Sequence, residues 1–254
     1  MKTEILTRAP IRSTGRSAAI SWLLACALLL AATAASAASG RDALVIGNAA
    51  YEDQPPLVNT LNDARDMAAK LEELGFAVTK VENADRRALT RAVNDFIRRV
   101  RGSDGVALVY YSGHGLQANG RNYLLPVDAQ IHDQLDIPTE GLAMERLLAG
   151  LDGRGDQAVN LLILDSCRDN PYTQAKGIGG KGLARLDDPP SGSLILYATK
   201  PGQTASDNPG GRNGLFTKHL LAALDRPGVK VEDAFKEVAR EVIRESRRAQ
   251  YPWT

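Results

Sequence analysis

The feature that most constrains this chain is the alternation, from residue 41 onward, of short aliphatic runs with longer amphipathic stretches. Uninterrupted Val, Ile and Leu suit strands buried on both faces, and the amphipathic stretches supply the crossovers between them. The pattern therefore predicts βαβ units, an α/β fold with a mostly parallel sheet flanked by helices on both faces. Strands are expected at residues 43–47, 77–81, 105–112, 160–165 and 194–198, with a short extended piece at 123–127. Helices are expected at 62–74, 86–100, 142–151, 215–224 and 231–246. In the first, Ala64, Met67, Ala68, Leu71 and Leu74 recur at helical spacing and Gly75 closes it. In the second, Leu89, Val93, Phe96, Ile97 and Val100 face inward, and Arg91, Arg98, Arg99 and Arg101 form a solvated face. Residues 170–192 hold five Gly, three Pro and two Lys without apolar periodicity, a long loop of the kind that usually carries function.

The first 37 residues are of different composition. Lys2, Arg8, Arg12 and Arg16 precede an apolar run at 18–35 that closes on Ala35-Ser36-Ala37, which reads as a secretory signal peptide cleaved after Ala37. An uncleaved membrane anchor is the competing reading. A lipoprotein reading of Leu23-Leu24-Ala25-Cys26 ranks below cleavage, because the apolar run continues past Cys26. The expected organisation is a signal peptide at 1–37 and one domain at 38–254, periplasmic or secreted. Removal of residues 1–37 takes four positive charges and one negative, leaving 27 against 29 and a net charge of −2. Such a balance gives no electrostatic attraction for nucleic acid. The mature chain would keep one cysteine, Cys167, which cannot form an internal disulfide. It is a small buried residue, an intermolecular link or a reactive thiol.

In an open α/β sheet ligands gather beyond the carboxyl ends of the strands. The third strand runs into Tyr111-Ser112-Gly113-His114-Gly115 and the fourth into Asp165-Ser166-Cys167-Arg168-Asp169. If these strands are neighbours, His114 and Cys167 emerge side by side, where an imidazole can activate a thiol. Alone, each residue has an ordinary structural explanation; their joint placement favours chemistry. His132 and His219 lie at no expected strand end. Backbone N–H groups of Gly115 and Cys167 are the candidate oxyanion donors. Asp165 leaves an extended chain on the same side as Cys167 and either lines a pocket for a cationic substrate side chain or closes a structural hydrogen bond. Neither GxxxxGK[ST] nor GxGxxG follows the first strand, which argues against a nucleotide site.

Taken together, Tyr110-Tyr111-Ser112-Gly113-His114-Gly115 and Asp165-Ser166-Cys167-Arg168, with 53 residues from His to Cys, resemble the caspase and metacaspase cysteine peptidases. Gly47-Asn48-Ala49-Ala50-Tyr51, Asn62-Asp63-Ala64, Gly75-Phe76 and Ala198-Thr199 with Gln203 resemble the bacterial branch, over roughly residues 41–224. The resemblance implies a six-stranded caspase-like sheet, Cys167 as nucleophile, His114 as general acid/base, and Gly115 with Cys167 at the oxyanion. It also implies a large-subunit-like region at about 41–171, a linker at 172–192 open to cleavage, and a small-subunit-like region at 193–254. Asp165 goes with cleavage after Arg or Lys, and Gln203 belongs to the substrate cleft. Two positions depart from the pattern. A second acid is usual two residues before the Gln, where this chain has Pro201, with Asp207 the available substitute. Bacterial relatives also commonly continue past the equivalent of Thr254, so a last strand is missing or supplied otherwise.

The implied function is an extracytoplasmic cysteine endopeptidase that acts on proteins or peptides without metal or other cofactor. The alternative is a caspase-fold binding or scaffolding protein with little proteolytic activity.

Overall fold

A computed structural model of the protein describes residues 40–254 apart from 55, 167–182, 187–188, 201–202, 204, 207 and 209. Five parallel strands build the main sheet: β1 (Arg41–Gly47), β2 (Ala77–Glu82), β3 (Val106–Ser112), β7 (Val159–Asp165) and β8 (Ser193–Tyr197), in the order β2-β1-β3-β7-β8. The crossovers and the chain after β8 supply α1 (Thr60–Glu73), α2 (Arg86–Val100), α3 (Ile137–Glu140), α4 (Met144–Leu151), α5 (Leu215–Leu224) and α6 (Val231–Glu245).

Consecutive side chains of a strand leave opposite faces of the sheet, and the central runs are apolar at every position because both faces are covered. Leu44, Ile46, Val109, Tyr111 and Leu164 pack with α2 and α4. Ala43, Val45, Leu108, Tyr110 and Ile163 pack with α1, α5 and α6. Close approach of α1 explains Gly47, where a β-carbon would lie 2.6 Å from Ala64 Cβ and 2.8 Å from Thr60 O.

Three differences from the sequence reading have local causes. First, a hairpin of β4 (Gly115–Ala118) and β5 (Arg121–Leu124) follows His114, joined by β6 (Leu142–Ala143) in a second, antiparallel sheet. Its turn is Asn119-Gly120 with φ of 51° and 76°, the left-handed pair that a two-residue turn requires. Second, residues 142–143 are therefore strand, and the helix expected from 142 begins at Met144. Third, the main sheet has five strands rather than six among the described residues. Beside β8 there is one antiparallel bridge, in which Tyr197 and Trp253 exchange N–H···O bonds of 2.8 and 3.0 Å. No helix among the described residues is long and apolar enough to cross a membrane.

Candidate active site

The neighbouring of β3 and β7 is the decisive fact for the site. Their register pairs Ser112 with Asp165, so the two motif segments leave the sheet side by side from its carboxyl edge. Gly113 N–H donates across to Asp165 O at 3.4 Å, the last link before the chains part. His114 lies two residues beyond one paired position and Cys167 two beyond the other. Cys167 itself is outside the described residues, as is Asp207.

His114 is buried, and its backbone is held on both sides. Its N–H donates to Tyr51 Oη at 2.7 Å. Its carbonyl accepts from Tyr111 Oη at 2.7 Å and from Leu125 N at 3.0 Å. Burial raises the Tyr111 phenol well above its ordinary value, with the Tyr51 hydroxyl adding to the effect, so Tyr111 stays a donor. The imidazole packs on the Tyr51 ring at 4.5 Å between centroids, inclined by 54°. Tyr51 is in turn positioned by the segment after β1, where Asn48 Nδ2 donates to Leu125 O at 2.9 Å and Asn48 Oδ1 accepts from Ala84 N at 2.9 Å. The Gly47–Tyr51 stretch is thus the cradle of the histidine loop.

Two glycines in this loop sit in tight surroundings, Gly113 the tighter. At Gly113 a β-carbon would lie 2.7 Å from Tyr111 Oη and 2.8 Å from Tyr51 Oη. At Gly115 it would lie 3.0 Å from Leu183 Cδ2 and 3.2 Å from Ser166 Oγ, so this backbone faces the Ser166 side of the other motif. Ser166 is buried, and its Oγ has no hydrogen-bond partner among the described residues.

The carboxylates lie on the opposite face, towards α1 and α5. Asp165 is buried, and its Oδ2 accepts from Thr217 Oγ1 at 2.8 Å. Tyr110 Oη is 2.6 Å from the same Thr217 oxygen. Burial first, then the negative charges of Asp63 and Asp165, hold the Tyr110 phenol well above its ordinary value. Both acids therefore bear on one hydroxyl. Asp63 is fully buried in the first turn of α1, its Oδ1 accepting from Gly214 N at 2.9 Å and its Oδ2 from Ser112 Oγ at 3.4 Å. The loop before α5 is fastened to α1 as well, through Arg212 on the Asp66 carboxylate with two bonds of 2.7 Å and Asn59 Nδ2 on Asn208 O at 3.1 Å.

Sequence reasoning did not single out Asp63. The signal was present: Asp63 precedes Met67 by four positions, which places a carboxylate on the apolar stripe of an amphipathic helix. Gln203 is partly buried, with its Oε1 lacking a partner among the described residues. His219 pairs with Glu245 at 2.7 Å on the α5–α6 surface, away from these strand ends. Among the described residues no cluster of His, Cys, Asp and Glu could hold a metal ion.

The linker expected at 172–192 is described at 183–186, 189–190 and 191–192. Its apolar residues are not idle: Leu183 is buried in the core beside Gly115. Asn122, fully buried on β5, accepts from Ala184 N at 2.7 Å and donates to Ala184 O at 2.8 Å, holding the segment as a neighbouring strand would.

Comparison with known proteins agrees with this geometry. Mucosa-associated lymphoid tissue lymphoma translocation protein 1 of Homo sapiens is 29% identical over 189 residues, which are 72% of this chain and 21% of that protein. Its Mus musculus homolog matches to the same extent. The chain thus spans about a fifth of the length of these relatives. Among solved structures, protein GSU0716 from Geobacter sulfurreducens superposes with a TM-score of 0.60 at 20% identity, covering 84% of this chain and 92% of that one. The Drosophila initiator caspase Dronc superposes with a TM-score of 0.56 at 13% identity, covering 79% of this chain and 72% of that one. Residues 41–254 match the caspase domain family of cysteine peptidases along their whole length, and with the paired strand ends above this makes the chain a member of that family.

Proposed function

We propose that the protein is a cysteine endopeptidase with Cys167 as nucleophile and His114 as general acid/base, cleaving after Arg or Lys outside the cytoplasm. The observation that carries this reading is the β3–β7 register, which sets both motif segments at one sheet edge. The Cys167 thiolate adds to the scissile carbonyl carbon, and the resulting oxyanion accepts from the N–H groups of Gly115 and Cys167. His114, protonated at the expense of the thiol, returns that proton to the leaving amine as the C–N bond breaks. A water molecule, deprotonated by the same imidazole, then cleaves the thioester and regenerates the thiol. The tyrosine cradle supports this role because it fixes the backbone of His114 on both sides and packs the Tyr51 ring against the imidazole.

For specificity, Asp63 and Asp165 together form a buried negative pole that suits a guanidinium or ammonium group. Asp63 takes the place of the second acid expected near Pro201. The test is a set of fluorogenic peptides differing only at the residue before the cut, on wild type, Cys167→Ala, His114→Ala, Asp63→Asn and Asp165→Asn. Wild type should turn over the Arg and Lys peptides alone, the first two variants should be inert while folded, and the Asn variants should lose basic preference. Wild-type rates in Cys167→Ala would refute the nucleophile, and efficient cleavage after Asp would refute the pocket. Export rests on the basic, apolar and Ala35-Ser36-Ala37 regions. Mass spectrometry of the protein from its host should find Ala38 as the first residue, and an intact Met1 in a cytoplasmic fraction would refute export.

A further inference from the structure

The pole of the domain opposite these strand ends holds a cavity that the peptidase reading does not use. It has a volume of about 450 Å³ and lies between the amino-terminal ends of β1, β3 and β7 and the ends of α1, α5 and α6. That volume falls within the range of small-molecule sites. Its walls are aliphatic and aromatic, with Phe76, Leu161, Leu220 and Phe235 among them, and among the described residues the charged ones that line it are Arg41 and Arg226. No acid lines it. Arg41 is fixed at the rim by donating from Nη1 to Leu74 O at 2.9 Å. Arg226 pairs through Nη2 with Glu237, which stands outside the lining, and a guanidinium has five N–H donors in all. Val229, on the turn between α5 and α6, and Val231, the first residue of α6, also line the cavity and remain 39% and 38% exposed, so the apolar wall reaches the surface.

The occupant is constrained by these facts. A linear alkyl chain fits the cavity, and guanidinium N–H donors at the rim, with no acceptor group of an acid among the described lining residues, favour a carboxylate head over a neutral or cationic one. We propose that this cavity binds a medium-chain fatty carboxylate, the alkyl chain among the apolar walls and the carboxylate against Arg226 and Arg41. Binding would occur irrespective of whether the chain cleaves peptides.

Calorimetric titration of the full chain with hexanoate, octanoate and decanoate, each below its micelle concentration, tests this directly. Saturable 1:1 binding should tighten about fourfold for each added methylene, the value of burying one CH₂ group. Decanol should bind more weakly than decanoate and decylammonium should not bind. Ala223→Leu, which places bulk in the cavity, should weaken decanoate at least tenfold. Arg226→Gln, at an exposed position that can hardly prevent folding, should narrow the preference for decanoate over decanol. Sedimentation in parallel detects the other possible occupant, a second copy. Absence of saturable decanoate binding, equal affinity for decylammonium, or a concentration-dependent dimer that decanoate does not dissociate would each overturn the proposal.

Discussion

Replacing Thr217 by Val probes the hydroxyl that ties the two sides of the carboxylate pole together. Thr217 Oγ1 is 2.8 Å from Asp165 Oδ2 and 2.6 Å from Tyr110 Oη, and all three residues are buried to within 1% of complete. A hydroxyl has one hydrogen, which goes to the carboxylate, so Tyr110 must donate to Thr217. Burial and the nearby acids keep that phenol protonated and able to do so. Val fills almost the same volume, and the loss is therefore in hydrogen bonding rather than packing. One charge-assisted bond is removed and a buried phenol is left without its acceptor, together worth about 3 kcal/mol. Tyr110→Phe removes only the neutral bond and should cost about 1 kcal/mol. The double variant should cost about as much as Thr217→Val alone, because no phenol remains to be orphaned, giving a coupling of about 1 kcal/mol. Urea unfolding followed by circular dichroism measures the cycle. Cleavage of an Arg peptide by Thr217→Val should fall about tenfold in kcat/KM, the loss of roughly 1.4 kcal/mol of carboxylate positioning. A Thr217→Val cost below about 0.5 kcal/mol, the size of a neutral surface change, or strict additivity in the cycle, would refute the hydrogen-bond assignment.

Three further outcomes are expected. Gly113→Ala forces a methyl against the Tyr111 and Tyr51 hydroxyls, so it should destabilise by about 1–3 kcal/mol and abolish turnover, read by thermal melting and the same peptide assay; near-wild-type values would show that the cradle yields easily. Glu82 is held at about 2, against an ordinary 4.5, by bonds from Arg65 and then Lys80. Its contribution is thus complete above about pH 4.5 and lost as pH falls through about 2, and the stability deficit of Glu82→Gln at neutral pH should close over that window in acid unfolding. Finally, cleavage within the linker should fall after Lys176 or Lys181 and not after Arg185, because Asn122 holds both backbone groups of Ala184 and the Arg185 guanidinium lies 5.4 Å above the Trp253 ring. Fragment sequencing decides this, and Asn122→Ala should open Arg185 to cutting.

The order of strands and helices was legible in the sequence because it rests on periodicity, and periodicity follows from which faces are buried. Residues 43–47, 105–112 and 160–165 are apolar at nearly every position, and only a central parallel strand tolerates that. The hairpin after His114 was equally legible in Asn119-Gly120, the residue pair of a two-residue turn. The histidine and cysteine segments were legible because each directly follows an apolar strand run, at the carboxyl end where ligands gather. What the sequence left undetermined is whatever depends on meetings between distant residues. Asp63 and Asp165 are 102 positions apart, yet the packing of α1 and α5 on one face of the sheet brings both to bear on Tyr110. Asn122 and Ala184 form a strand-like pair only because the linker folds back over β5. Local sequence specifies which face of an element is apolar; the tertiary structure alone decides which polar groups on separate elements share a dry space, because that requires the faces to be assembled first.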